Sequence, residues 1–322
     1  MKIKIVLFRI CQILCIIAFF LLLSHSDLVL YYAREGIRTW ACSVLPVLLP
    51  FIILSRFWIY YEVPGLLFRS SQKMLVKHTS FALAATILFL GLTSGFPVGA
   101  IFIKYFYDRR ILTKDAAEEL LPLCSFVSPM FLMGYVRPLT GYKGIAWILF
   151  LCSLYLPLLF CFGNGIRSGK IHAYSGKNES FSSGKSSIRD IWIYSLEVIF
   201  TIGIYMMLFS ILFGLAIHQP LFRKPFMEIL LGNLEITVGI GWIARMSTIK
   251  GIVRGMILAA SVSFGGLCTM AQVYTILSES NLSLKCYVMT KGKTALLSAI
   301  LLLFFFLFFK IFFAAGSFGS IS

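Results

Sequence analysis

Residues 91–100 read GLTSGFPVGA, with three glycines and one proline inside an otherwise apolar run. Glycine and proline are poor helix formers, because glycine is conformationally free and proline lacks an amide hydrogen and clashes with the preceding turn. A break here leaves backbone polar groups without helical partners. We therefore expect the segment to serve a purpose that a straight helix cannot.

The composition around this motif is that of a membrane protein. Of the 322 residues, 59% are hydrophobic and 13% are charged, whereas an ordinary soluble domain has about 25% charged residues. We predict an all-α polytopic membrane protein, integral and multi-pass, with about eight transmembrane helices and two re-entrant or broken-helix hairpins in an internal repeat. The candidate apolar segments are 5–24, 38–60, 80–106, 118–136, 144–163, 190–216, 226–247, 252–278 and 294–315.

The charged residues indicate which partners to expect. The net charge is +16, and the basic residues lie in short loops between apolar runs, as the positive-inside rule requires, so we expect no nucleic-acid partner. The four histidines are scattered and no CxxC pair is present, so we expect no metal or other cofactor. Without a Walker, HExxH or Ser/His/Asp pattern, we expect no enzyme. The expected partners are a small-molecule solute and the lipid bilayer, and a homo-oligomer is left open.

A polar stretch, IRSGKIHAYSGKNESFSSGKSSIRD at 166–190, divides the chain. It is rich in Ser, Gly and Lys and has no apolar period, which is typical of a flexible linker. The predicted parts are an N-terminal transmembrane anchor at 1–34, a first repeat at 35–163, a polar linker at 164–190, and a second repeat with a C-terminal transmembrane helix at 191–322.

The two halves share a pattern of breaks. A shift of 170 residues places Gly95 on Gly265, and both lie in small-residue segments, SGFPVGA at 94–100 and SFGGLCT at 263–269. An apolar helix follows each segment. We expect an internal duplication in which these two segments correspond.

The distribution of Lys and Arg favours a hairpin at 80–106. If this segment enters and leaves on one side, the cytoplasmic segments hold fifteen Lys and Arg against four outside. A full crossing reverses the split to eight inside and eleven outside, which violates the positive-inside rule. Two legs of about 12 residues reach about half the membrane thickness, so GLTSGFPVGA would be a tip near the midplane.

A tip at the midplane cannot face lipid, because its backbone N–H and C=O groups would have no partner. It must line a cavity or pack inside the protein. Transporters use such broken helices to present N–H groups and positive dipole ends to anionic ligands. The alternative is a Gly/Pro kink that only allows close helix packing.

Two further segments hold uncharged polar residues at membrane depth. CSFVSPMFLMG at 124–134 contains Ser125 and Ser128, which could bind a ligand or satisfy a carbonyl that the proline frees in a simple kink. Gln272 follows the second break by one to two helical turns. It could orient a ligand or bond to a neighbouring helix.

An acidic residue is the third polar feature. GNLEITVG at 232–239 places Glu235 between glycines. A carboxylate at membrane depth is costly and usually pairs, becomes protonated or binds an ion. We predict that Glu235 is the titratable or ion-coupling group. The alternative is that it lies at the interface or pairs with Arg245 or Arg254.

At these motifs the sequence resembles the family of the sporulation integral membrane protein YlbJ, within the wider group that carries the nucleoside-recognition Gate domain. SGFPVGA is similar to an SGYPxGAK-like motif of that family, CSFVSPMFLMG to its SNP-containing span, GNLEITVG to a GLFEITLG-like segment, and SFGGLCTMAQ to an SGFSxxxQ-like stretch. The order and spacing agree over about residues 35–290. Two departures bear on specificity, because Ile101 stands where the family has Lys and Ser128 stands where it has Asn.

The resemblance implies a transporter of a bacterial membrane in which paired Gate-like hairpins form a central site. It implies dipicolinate as cargo across a spore-compartment membrane, with nucleosides or metal ions as cargo of related proteins. We predict a secondary transporter or facilitator for a small anionic or heteroaromatic solute. A nucleoside or ion transporter and a non-transporting scaffold are the alternatives. The predicted substrate-binding residues are Ser94, Gly95, Pro97, Gly99, Ser125, Ser128, Glu235, Thr237, Ser263, Gly265, Gly266 and Gln272.

Overall fold

The computed structural model describes residues 19–67, 79–171 and 187–313, together with residues 9, 12, 13, 16 and 17. Within these ranges the chain is helical and contains no strand, which confirms the predicted all-α class. Part of the first candidate span and the central part of the predicted linker lie outside the described residues. The division into four parts stays a prediction.

The first half begins with a long helix that a π-helical turn interrupts, followed by two shorter helices around the GLTSGFPVGA motif. Its elements in order are α1 (Ser26–Thr39), the π turn Trp40–Val44, α2 (Leu45–Tyr60), α3 (Thr79–Ser94), α4 (Val98–Asp108), α5 (Lys114–Cys124), α6 (129–140, with a second π turn at Leu132–Val136) and α7 (Gly144–Arg167).

The second half follows a similar order. Its elements are α8 (Ile188–Ile217), α9 (Pro225–Gly232), α10 (Ile236–Arg245), α11 (Gly251–Phe264), α12 (Gly266–Leu277) and α13 (Lys285–Phe313). Helices α4, α5 and α6 begin at residues 98, 114 and 129, and α10, α11 and α12 begin at 236, 251 and 266. These three pairs of helices therefore recur at a shift of 137 or 138 residues.

This shift differs from the 170 residues expected from the glycine motifs. In the structure, the SGFPVGA tip corresponds to the turn at 233–235, and the break at Gly265 corresponds to the break at 125–128. Within the described residues, each half contains one hairpin tip and one break in the long helix that follows the hairpin. The hairpin tips and the helix breaks are both rich in small residues. Matching the two halves by sequence alone therefore aligns the hairpin tip at Gly95 with the helix break at Gly265.

Close glycine contacts show that α3 and α4 form a hairpin. A Cβ atom on Gly91 would lie 2.6 Å from the Cα of Cys124, and one on Gly99 would lie 2.6 Å from its carbonyl carbon. Eight residues of straight helix would separate these glycines by about 12 Å, so the chain reverses between them. In the second hairpin, a Cβ atom on Gly239 would lie 2.8 Å from the Cα of Gly232.

The two hairpins open toward opposite ends of the molecule, as the long helix α13 shows. Near its start, Cys286 contacts Glu119 (Sγ to Oε2, 3.3 Å). Glu119 lies in the second turn of α5, the helix that follows the open end of the first hairpin. Further along, Leu302 lies 3.3 Å from a Cβ built on Gly255, next to the open end of the second hairpin. Sixteen residues of helix between these contacts span about 24 Å.

Six helices among the described residues are long and apolar enough to cross a membrane. The chain is thus a multi-pass membrane protein, as predicted. The candidate segment 226–247 is instead two helices of 8 and 10 residues, whose lengths of about 12 and 15 Å are too short for a bilayer core of about 30 Å. The count of eight and the re-entrant placement stay predictions. The six spans are Ser26–Tyr60, Lys114–Thr140, Gly144–Arg167, Ile188–Ile217, Gly251–Leu277 and Lys285–Lys310.

Candidate functional site: a central cavity at the helix breaks

A small cavity of about 40 Å³ lies where the breaks of the two halves meet. Four of the twelve predicted substrate-binding residues line it, namely Ser128 from the first half and Glu235, Thr237 and Gln272 from the second. All four side chains are buried, with at most 5% of their surface exposed. The structure therefore brings together polar residues from three of the four sequence motifs, and Phe96, which also lines the cavity, comes from the fourth.

Several lining residues were missed by the sequence reasoning. Thr269 lies inside the quoted SFGGLCT segment, and Phe96 and Phe131 flank residues that were singled out. Ser43 belongs to the π turn of the first long helix, for which the sequence gives no signal. The remaining wall is apolar and consists of Val44, Val47, Leu48, Ile202, Met206 and Ile236.

Backbone hydrogen bonds join each hairpin tip to the broken helix of its own half. In the first half, the Phe96 amide donates to the Phe126 carbonyl at 3.0 Å. In the second, the Leu267 and Cys268 amides donate to the carbonyls of Asn233 and Leu234 at 2.8 and 2.9 Å. These contacts satisfy the polar groups that breaking a helix exposes, as burial in an apolar environment requires.

Glu235 is the N-cap residue of α10. Its carboxylate accepts hydrogen bonds from the Val238 amide at 2.8 Å and from the Thr237 hydroxyl. No Lys, Arg or His in the described parts of the chain lies within 4.0 Å of it. The alternative of an ion pair with Arg245 or Arg254 is therefore not realised, because both guanidinium groups donate to backbone carbonyls instead.

The predicted glycine donors are already in use in this conformation. The amides of Gly95, Gly99 and Gly265 donate to the carbonyls of the residues four positions earlier, at 2.7, 3.1 and 3.0 Å. Gly95 and Gly265 have φ angles of +75° and +87°, which a residue with a side chain rarely adopts. These glycines therefore shape the breaks, and none of the three amides is free to bind a ligand here.

The remaining predicted residues lie outside the cavity wall. Ser94 ends α3, and Pro97 follows a cis peptide bond at the tip. The hydroxyl groups of Ser125 and Ser263 are buried and have no hydrogen-bond partner in the part of the chain that the structure describes. Gly266 has a φ angle of +82° and lets α12 approach the carbonyl of residue 233. Their roles in binding stay predictions.

The electrostatics of the cavity differ from those of a simple anion site. Its wall, as far as the structure describes it, contains the Glu235 carboxylate and no basic side chain. Three half-helix N-termini are occupied too: Glu235 caps α10, Ser128 caps the helix that begins at Pro129, and the first α12 amides donate to the hairpin tip of the same half. The first amides of these helices therefore already have acceptors, and the Glu235 carboxylate offsets the positive end of α10. Aromatic faces and uncharged hydrogen-bonding groups remain for a ligand.

The chain was compared with known proteins. It is 24% identical over 325 aligned residues to the sporulation integral membrane protein YlbJ of Bacillus subtilis (strain 168), covering 86% of this chain and 79% of that protein. The comparison supports a YlbJ-like family. No family model and no solved structure matches the chain. The chain is an integral membrane protein, in agreement with the six candidate spans among its described residues.

Proposed function

We propose that the chain is a secondary transporter that carries a small solute through the central cavity. The observation that carries this proposal is that broken helices from both halves meet at a small cavity lined by buried polar side chains, one of them a carboxylate with no basic partner among the described residues. Unwound backbone and an ionisable side chain at membrane depth are costly, and transporters retain them at substrate and ion sites.

The arrangement of the two halves supports alternating access. Each half contributes three of the six candidate spans and one hairpin. An odd number of crossings gives the two halves opposite orientations in the membrane, and inverted repeats of this kind allow a site to open first to one side and then to the other. The hydrogen bonds between each tip and its broken helix are the contacts that such a motion would exchange.

The chemistry of the wall indicates the class of solute. Phe96 and Phe131 have ring centroids 6.5 Å apart and border the cavity, and Gln272 and Ser128 can hydrogen-bond to ring heteroatoms. A carboxylate without a basic partner repels a bare dianion. We therefore propose a heteroaromatic solute, such as dipicolinate, that enters together with a cation or proton which neutralises Glu235.

The test is solute uptake by vesicles that contain the purified full-length chain. Labelled dipicolinate, a nucleoside and a simple dicarboxylate are compared, with and without inward sodium and proton gradients. We expect gradient-dependent uptake of the heteroaromatic solutes and a loss of at least about tenfold in Glu235→Gln, because about 1.4 kcal/mol of lost coupling already has that effect. Glu228→Gln is the matched control, since Glu228 lies on the same hairpin outside the cavity.

Two results would contradict this proposal. If solute uptake by the Glu235→Gln variant still depends on both pH and sodium, Glu235 has no part in coupling. If the wild-type chain moves none of the solutes, the protein is a scaffold or an ion carrier. The volume of about 40 Å³ favours the ion carrier as second candidate, because it holds a few waters or one ion and a ring fits only after the wall opens. Sodium uptake without organic solute tests that candidate.

A cellular role follows from the relative. Because that protein is named for sporulation, we propose that this chain acts in spore formation. The test is deletion of its gene in the source organism, with heat-resistant spores counted in the mutant and after complementation. Unchanged spore counts and unchanged heat resistance would contradict it.

A further inference from the structure

A second cavity of about 640 Å³ lies between α5, α7 and α13, away from the central one. One end is lined by charged and polar side chains and the other by apolar ones. We name this cavity the basic cleft. Its charged lining residues are Glu119, Arg167, Lys170 and Lys293, and apolar residues of its wall are Leu123, Phe160, Leu296 and Leu297.

The basic cleft carries unpaired positive charge. Lys170 Nζ lies 3.8 Å from Glu119 Oε2, so these two charges offset each other. Arg167 and Lys293 have no carboxylate within 4.0 Å among the residues that the structure describes. Both side chains are exposed, which leaves two cations available to a ligand.

The apolar end of the basic cleft is open as well. Phe160 and Leu296 expose 62% and 64% of their surface, and both belong to helices long and apolar enough to span a membrane. Arg167 is the last residue of α7, so the cations lie at the end of one span while the apolar side chains continue into it. A ligand that matches this order has an anionic head and a hydrocarbon tail.

We propose that the basic cleft binds an anionic phospholipid. The phosphate group lies between Arg167 and Lys293, and the acyl chains cover Phe160 and Leu296. Guanidinium groups bind phosphate oxygens in a bidentate manner, and basic pockets between transmembrane helices are known sites for lipid headgroups. Lipid binding in the basic cleft does not depend on which solute is transported, so its test is independent of the transporter proposal.

The test measures lipid retained by the full-length chain. Protein purified from vesicles of equal phosphatidylglycerol and phosphatidylcholine is analysed by native mass spectrometry, which counts each bound lipid. We expect phosphatidylglycerol to be retained in preference to phosphatidylcholine. The double variant Arg167→Gln/Lys293→Gln should bind it about 30-fold more weakly, since each basic residue near the membrane surface contributes about 1 kcal/mol.

Two controls isolate the basic cleft. Arg223→Gln/Lys224→Gln removes the same charge from the exposed turn between α8 and α9 and should leave retention unchanged. Arg167→Lys/Lys293→Arg keeps the charge and should retain the lipid within a fewfold. Equal retention of both lipids, or equal loss in the Arg223 and Arg167 double variants, would overturn the proposal. Displacement of the lipid by millimolar inorganic phosphate would also overturn it, because the cleft would then be a site for soluble phosphate.

Discussion

Gly99 in the SGFPVGA motif provides a sharp test of how the first hairpin packs. Gly99→Ala adds one methyl group, which meets the backbone of Cys124: the added carbon would lie 2.6 Å from the Cys124 carbonyl carbon. Unbonded carbon atoms normally lie about 3.5–4.0 Å apart. The hairpin and α5 must therefore separate by about 1 Å at this point.

This separation has a predictable cost. Overpacking a close contact usually costs about 1–3 kcal/mol, and here the obstructing atoms are backbone, which cannot move to another rotamer. We expect Gly99→Ala to lower the thermal unfolding temperature of the detergent-solubilised protein by several degrees. Vesicle uptake of solute should fall as well, because Phe96, three residues away, lines the central cavity.

Two variants control for the substitution itself. Gly163→Ala makes the same change in α7, where no described residue outside the helix's own backbone comes within 4 Å of the added carbon, and should be neutral or stabilising by up to about 1 kcal/mol. Cys124→Ala combined with Gly99→Ala should not restore stability, because the obstruction is the main chain of Cys124. An unfolding temperature of Gly99→Ala equal to that of Gly163→Ala, or rescue by Cys124→Ala, would refute the reasoning.

Two further predictions concern charge and orientation. Lys291 is 1% exposed, its Nζ has no hydrogen-bond partner among the described residues, and this atom lies 4.6 Å from the centre of the Phe126 ring. Burying a lone ammonium costs several kcal/mol, and its contact with an aromatic ring recovers about 2 kcal/mol. Lys291→Met should therefore raise the unfolding temperature, and a decrease would show that the charge has a stabilising partner. Cysteines that replace Asp108 and Glu279 should be labelled from the same side of the membrane, and a cysteine that replaces Arg223 should be labelled from the other side. Labelling of all three cysteines from one side would contradict hairpins that open in opposite directions.

Much of the architecture could be predicted from the sequence, because hydropathy depends on local composition. The apolar segments 144–163 and 190–216 correspond to α7 and α8. Segment 226–247 could not be assigned in the same way. Its hydropathy is compatible with a crossing, and only the contact of Gly239 with the Gly232 backbone reveals two short antiparallel helices.

The candidate site was predicted in part for a similar reason. Ser128, Glu235 and Gln272 are polar residues in apolar surroundings, and such residues need a partner or a function wherever they lie. Which backbone amides at a break are free depends on long-range packing, as the bonds from Leu267 and Cys268 to the hairpin tip of the same half show. The sequence does not contain that information locally, so the predicted donors were chosen by motif rather than by availability.

The π turn at Trp40–Val44 has a consequence for how the gene can change. A π turn holds one more residue than the α-helix on either side of it. Deleting one residue there would restore regular winding and leave both flanking faces in place, whereas a deletion elsewhere in the helix rotates everything beyond it by about 100°. Because Ser43 and Val44 border the cavity, this is a position where deletion of a single codon reshapes the cavity wall and leaves the flanking helices in place.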